Sequence, residues 1–289
     1  MKRLKVKNDF IFQKIFGQSE NKEILISFLN AVLELEEDKK LEDIELIENT
    51  KLKRESMDDK LGILDIRAKT VKGEQINIEV QLVNQYNMDK RTLFYWSKIF
   101  TEQLKEGQPY NDLKKTITIN ILDFNYIGID SYHTVFHLWE DCVKDYKLTD
   151  VLEIRFLELP KFRKAKPDLS KPLDRWLVFI EDSPEEVLEM AMKAEPAIAK
   201  AEEILEYLGS LDEIKRHYEA RQMAIHDEIT RALGAREEGK MEGKVEGKIE
   251  GKIEGKIEVA KKLVSMGMDI GQIVEITGLS EEEIQRVRN

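Results

Sequence analysis

The sequence predicts a mixed α/β fold, a sheet flanked by helices and followed by a helical C-terminal region, on three observations. Residues 62–83 (GILDIRAKTVKGEQINIEVQLV) hold two strand-like runs with a turn signal between them. Amphipathic helical patterns lie on either side of this hairpin, at 20–33 and 88–105. Strand-like runs then follow at 115–124, 132–139 and 151–159. The order helix, helix, strand, hairpin, helix, strand, further strands describes a mixed sheet with helices packed on it.

Taken in order, residues 8–16 read as a short helix that packs through Phe10, Ile11, Ile15 and Phe16 and stops at Gly17. Asp9 stands at its start, where an acid complements the helix dipole or caps free N–H groups. The helix at 20–33 buries Ile24, Leu25, Phe28, Leu29, Val32 and Leu33. An acidic connector, 34–40, leads to a strand at 44–52. The charged stretch 53–60 reads as a solvated loop, with Glu55, Asp58 and Asp59 as outer acids.

In the hairpin, 65–70 and 75–82 alternate polar and apolar residues, the period of a strand with one apolar face. Gly73 suits the left-handed position closing a three-residue loop, Val71-Lys72-Gly73. Thr70 then faces Glu74, and outward pairing sets Asp65 opposite Glu79. Leu64, Ile66 and Ala68 share the apolar face with Ile76, Ile78, Val80 and Leu82. Asp65, Glu79 and Gln81 share the polar one. Facing carboxylates destabilise a hairpin. Either water screens them on an exposed face, or a divalent cation reverses the sign of their interaction. Hard oxygen ligands of this kind suit magnesium.

The helix at 88–105 carries Leu93, Tyr95, Trp96, Ile99, Phe100 and Leu104. Arg91 and Tyr95 are four apart and share a face. Gly107 to Pro109 break it. The β-branched run 115–124 reads as a buried strand. His133 and His137 fall within a strand and read as ordinary polar residues. The stretch 160–172 is a basic connector (Lys161, Arg163, Lys164, Lys166, Lys171) with Phe162 among the cations, suited to a phosphate backbone or to solvent. Helices follow near 173–181, 184–194 (Pro184 at the first helical position), 197–208 and 211–233. A tetrapeptide repeat, EGKM, EGKV and three EGKI, occupies 238–257. Glycine costs about 1 kcal/mol per helical position relative to alanine. The repeat is therefore a marginal helix or spacer, stabilised by self-association. Residues 258–289 form a small helical module with a Ser280-x-x-Glu283 capping box. Its helix–Gly turn–helix pattern is that of a DNA reader. Glu281, Glu282 and Glu283 would repel phosphate, which favours a protein-interaction or dimerising role.

Across 289 residues, 46 Lys and Arg against 57 Asp and Glu leave a net charge of −11, which disfavours nonspecific nucleic-acid binding by the surface as a whole. A basic cleft would still serve. The single cysteine, Cys142, excludes an internal disulfide, reads as a packed thiol and fits a reducing cytoplasm. No apolar run approaches a membrane span, and residues 1–7 lack the apolar core of a signal peptide. Expected domains are 1–172, a helical extension 173–236, the repeat at 237–257 and the module at 258–289.

Several segments together carry a family resemblance. These are NDFIFQKIFG at 8–17, Leu64-Asp65-Ile66, Gly73 to Gln81, Arg91 to Ser97, and the Gly-rich repeat before TGLSEEEI. Asp65, a hairpin and then Glu79-Val80-Gln81 resemble the PD-(D/E)XK nuclease core in its E-x-Q variant. The whole chain resembles the recombination-promoting nuclease (Rpn) group of PD-(D/E)XK nuclease family transposases. Leu64 replaces the signature proline, and Gln81 the signature lysine. The resemblance implies a restriction-endonuclease-like core and a magnesium-dependent (or manganese-dependent) DNA endonuclease linked to recombination or transposition. It places the metal on Asp65, Glu79 and the main-chain carbonyl of Val80, and gives Gln81 the task of orienting the attacking water. Gln81 supplies no charge, so Arg67, Lys69 or Arg91 would provide it. Asp9 and Tyr95 would support the site, or act as a helix cap and a core aromatic. DNA is the expected partner, and RNA the alternative. The competing reading is a catalytically weak, oligomeric DNA-associated or regulatory protein.

Overall fold

The computed structural model describes residues 3–47 and 66–288. The chain divides into two compact units, Met1–Ile229 and Thr230–Asn289.

In the first unit, α1 (Asp9–Phe16) and α2 (Lys22–Leu33) precede β1 (Ile44–Ile47). The hairpin is β2 (Ile66–Thr70) and β3 (Gln75–Gln81), followed by α3 (Met88–Thr101). Then come β4 (Thr116–Leu122), β5 (His133–Trp139) and β6 (Lys147–Glu158). The six strands form one sheet in the order β1-β2-β3-β4-β6-β5. Pairing is antiparallel from β1 to β3, parallel from β3 through β4 to β6, and antiparallel between β6 and β5. This is the mixed sheet with flanking helices that the element order predicts.

The hairpin register is the expected one. Ile66 faces Ile78 and Ala68 faces Ile76. Thr70 N–H donates to the Glu74 carbonyl at 2.9 Å, and Gly73 holds φ +87° in the turn. The pairing is set by that left-handed residue and by the alternation that buries one face.

The two sheet faces differ in chemistry. On one, Ile66, Ala68, Ile76, Ile78, Ile117, Ile119, Ile121 and Leu157 join α1 and α2 in the main core. Phe12, Phe16, Phe28 and Trp176 pack there, with Phe16 and Phe28 rings 5.2 Å apart and Phe28 and Trp176 5.7 Å apart. The other face carries a smaller cluster, Met88, Leu122, Leu152, Ile154 and Phe156, with Trp96 against it. Between these apolar groups lies the polar layer described below.

After β6 the chain forms α4 (Leu159–Lys164), α5 (Pro172–Ile180), α6 (Glu185–Ala194) and α7 (Pro196–Ser210). The basic connector is therefore partly helical and turned inward. Phe162 is buried in the core. Lys161 binds Glu158 and the carbonyls of Ile127 and Ile129. Arg163 binds Asp123 and Glu181. These internal partners remove the reading of those three residues as a phosphate-facing strip. Pro184 is the N-cap of α6 and not its first helical residue; Pro172 and Pro196 take that place in α5 and α7. Leu173, Trp176, Ile198 and Leu205 belong to the main core. Cys142 is exposed, not packed.

α8 (Asp212–Ser265) is one helix, and its first part belongs to this unit. In the second unit it includes the whole repeat. A Cβ added at Gly239, Gly243, Gly247, Gly251 or Gly255 meets nothing within 4 Å. α9 (Ile270–Thr277) and α10 (Glu281–Arg288) close this unit around Ala260, Ile273, Leu279 and Ile284. Asp269 caps α9, Gly278 ends it at φ +66°, and Ser280 and Glu283 form the expected capping box.

Candidate active site

Strand periodicity puts Gln75, Asn77, Glu79 and Gln81 on one face of β3, opposite Ile76 and Ile78. This polar face is not solvated. Arg67, Asn77 and Glu79 are all buried, and Glu79 is only 2% exposed. Helix α3 covers it and is fixed there by hydrogen bonds. Thr92 Oγ1 lies 3.1 Å from Thr118 Oγ1. Asn120 Nδ2 donates to Thr92 Oγ1 and to the Arg155 carbonyl, both at 3.1 Å. Trp96 Nε1 donates to the Thr116 carbonyl at 2.9 Å.

The same turn of α3 aims Arg91 at Glu79, with Nε donating to Oε1 at 2.7 Å. Arg91 also reaches Gln85 Oε1 at 3.5 Å, and its guanidinium carbon lies 5.6 Å from the centre of the Tyr95 ring. Burial pushes the Glu79 carboxyl above its ordinary value; the charge and hydrogen bond of Arg91 pull the other way without cancelling it. The water-screened reading of Glu79 is thereby excluded. This carboxylate is buried, with an arginine as counterion.

Asp65, the partner expected across from Glu79, lies outside the described residues, as do Leu64, Glu55, Asp58 and Asp59. Gln81 is half-buried, and its Nε2 donates to the Val83 carbonyl at 3.1 Å. Main-chain bonds join Gln75 N–H to the Lys115 carbonyl and Asp123 N–H to the Gln81 carbonyl. Odd-numbered residues of β3 thus bond toward β4. By alternation the Val80 carbonyl points to the β2 side.

The supporting residues separate. Arg67 is committed to Glu102 at 3.0 Å. Tyr95 is half-exposed beneath Arg91 and is not a core aromatic. Asn8 is the N-cap of α1, accepting from Ile11 N–H, and Asp9 is the first-turn acid expected there, accepting from Phe10 N–H at 2.8 Å. Asp9 also takes a two-pronged bond from Arg221 of α8, with Nε 2.8 Å from Oδ1.

Arg221 and the layer Asn77, Thr92, Thr118 and Asn120 carry no motif in the sequence. The layer left a trace: Thr116, Thr118 and Asn120 alternate with Ile117, Ile119 and Ile121, so one face of that buried strand is polar. Arg221 left none, since 212 residues separate it from Asp9.

Among the described residues no three His, Cys, Asp or Glu side chains gather as a metal site. The donors that are described fit a hard cation. They are a carboxylate, a main-chain carbonyl and an amide, all oxygen and without thiolate or imidazole.

Residues 6–233 match the family described as PD-(D/E)XK nuclease family transposase. Residues 254–289 match the Rpn/YhgA-like nuclease family, C-terminal HTH domain. That description sides with the helix-turn-helix pattern over the interaction module favoured by the run of acids at 281–283. No curated protein and no solved structure matches the chain.

Proposed function

The chain belongs to the PD-(D/E)XK nuclease family transposases, with an Rpn-type C-terminal domain, and from that premise we propose a magnesium- or manganese-dependent DNA endonuclease acting in recombination or transposition. The observation that carries the proposal is Glu79, a buried carboxylate on the hairpin strand held by Arg91. Asp65, which the alternation of the sequence sets opposite Glu79, is proposed as its partner.

In this reading Asp65, Glu79 and the Val80 carbonyl hold the cation. When bound, the cation activates water and stabilises charge developing on the phosphate. Gln81 orients the water by hydrogen bonding and can neither accept its proton at neutral pH nor offer charge. Arg91 opposes the upward pull of burial on the Glu79 carboxyl and would supply the positive charge that the signature lysine would have brought. Tyr95 holds the guanidinium plane by stacking. Asp9 acts at a distance, tying α1 to α8 through Arg221.

Nicking of supercoiled plasmid tests the proposal. We expect nicking with Mg²⁺, none with EDTA, and none from Asp65→Ala or Glu79→Gln. Equal nicking by Asp65→Ala would sink it. A catalytically weak DNA-associated protein is the second reading, favoured by the bond Gln81 makes to Val83. It predicts DNA binding without turnover; a nuclease acting on RNA instead would keep the turnover and cleave an RNA substrate.

The repeat supports a homo-oligomer. Met241, Val245, Ile249 and Ile253 are exposed on α8. At 100° per residue, Glu242 lies on one flank of this row and Lys244 on the other. A second copy in parallel sets each Glu row against a Lys row; an antiparallel copy opposes like charges. Light scattering should find wild type associated and Ile249→Asp monomeric. The absence of a described helix long and apolar enough to cross a membrane is compatible with a cytoplasmic site of action.

A further inference from the structure

Helix α3 buries one face and leaves another with a composition that a solvated helix does not need. Met88, Thr92 and Ile99 point inward. The outward row at i, i+4, i+8 is Lys90, Phe94 and Lys98. Phe94 is 54% exposed and has no core to fill, yet Lys98 Nζ sits 4.8 Å from its ring centre. The Phe94 and Tyr95 rings meet edge to face at 5.6 Å. Tyr95 in turn lies under Arg91, the residue bound to Glu79. Aromatic rings and cations thus run outward without a gap from the buried carboxylate to the protein surface.

The loop entering α3 repeats the pattern. Tyr86 is 65% exposed and holds φ +60°, a left-handed conformation that a bulky side chain seldom adopts. Its N–H is held by Asn84 Oδ1 at 2.8 Å. Strained backbone of this kind persists where the surroundings fix it, and it concentrates at binding sites. The two nearest acids of the helix are turned to other partners: Asp89 accepts from the Tyr126 hydroxyl at 2.7 Å, and Glu102 from Arg67.

We propose that the outer row of α3, centred on Phe94 with Lys90 and Lys98, is a stacking platform for unpaired bases, and that the strand reaching Glu79 is one whose bases are unpaired, as in a locally melted stretch of supercoiled DNA. A flat ring offers its face to any base, and the exposed Lys90 one turn before it matches a neighbouring phosphate. In a duplex the bases are already stacked on one another, so these rings would add nothing to its binding. The proposal deepens the nuclease reading and rests on it for its purpose, but its test does not pass through cleavage.

The test is fluorescence anisotropy of the full-length protein with a labelled oligothymidine and, separately, a labelled duplex, both in EDTA. Phe94→Ala should weaken single-strand binding about tenfold, the contribution of one stacked base. Duplex affinity should stay unchanged, and Phe94→Trp should restore the single-strand value. Phe94 is exposed, so these variants keep the core. An unchanged single-strand affinity in Phe94→Ala, an equal loss on duplex, or no single-strand binding by wild type would each overturn the platform. Glu79→Gln separates the two ideas: it should abolish nicking and retain single-strand binding. A wild type that binds in this way but never nicks would leave the platform standing and remove the nuclease. A wild type that nicks while Phe94→Ala binds normally would do the reverse.

Discussion

Arg91→Met removes the guanidinium facing Glu79 and keeps a side chain of comparable length. Glu79 is 2% exposed, and Arg91 Nε lies 2.7 Å from its Oε1. The variant therefore leaves a carboxylate inside the protein without that counterion. Its escape is to take a proton. From the ordinary value of 4.5 to neutrality is about 2.5 pH units, so holding the proton at about pH 7 costs about 3.4 kcal/mol. That bounds the ionic part of the loss and lies within the roughly 3–5 kcal/mol typical of a broken buried pair. At about pH 5 the same proton costs only about 0.7 kcal/mol.

A carboxyl raised by folding contributes stability that is fully present below its unfolded value and is lost as pH rises through its folded value. The variant's deficit against wild type should therefore grow by up to about 1.4 kcal/mol per pH unit between these two conditions. Urea unfolding followed by tryptophan fluorescence measures it, because Trp96, Trp139 and Trp176 all lie in the first unit. Adding Glu79→Gln to Arg91→Met should recover most of the deficit. A loss of equal size at both pH values would refute the reasoning, since it would mean that Glu79 already reaches water or is already neutral.

Glu153 should behave with the opposite sign. Burial opposes its charge, but Lys115 at 2.5 Å and Arg155 at 2.6 Å outweigh burial and hold it below the usual carboxylate range. Its contribution is present above the ordinary value and fades as pH falls through the depressed one, so Glu153→Gln should lower urea stability by about 3 kcal/mol at neutral pH and by much less under acid. Gly73→Ala forces a side chain to φ +87° and brings its Cβ 3.3 Å from Lys114 Cγ, so thermal unfolding should show a loss of about 1–2 kcal/mol. Arg221→Ala strips Asp9 of its paired charge-assisted bonds, which should lower urea stability by about 1.5–3 kcal/mol. Hydrogen exchange at the start of α1 should rise in that variant. Unchanged exchange would mean that α1 is held by its core face alone.

The hairpin was legible because its signals are local. Alternation over eight residues and one glycine needing positive φ are enough to set the pairing of Ile66 with Ile78. The caps of the C-terminal helices were legible for the same reason: Ser280 and Glu283 are three residues apart. Where the two readings part, a distant residue decides. The basic connector looks solvent-facing until Asp123, Glu181 and Glu158 are brought to Arg163 and Lys161. Asp9 is legible as a first-turn acid, but its bond to Arg221, from 212 residues away, is not.

By itself the sequence determined the order of elements, the faces of the hairpin strands, the repeat and the family to which the chain belongs, because periodicity, turn chemistry and motif spacing are written in neighbouring residues. Only the tertiary structure decided that the polar face of β3 is dry. An alternating strand looks the same whether water or a helix lies over its polar side. The cover is α3, pinned by Thr92, Thr118 and Asn120, and its placement turns Glu79 from a screened surface acid into a buried carboxylate with Arg91 as counterion. The difference is one of solvation: in water two charges interact weakly, and under a packed helix each must be answered by a specific partner.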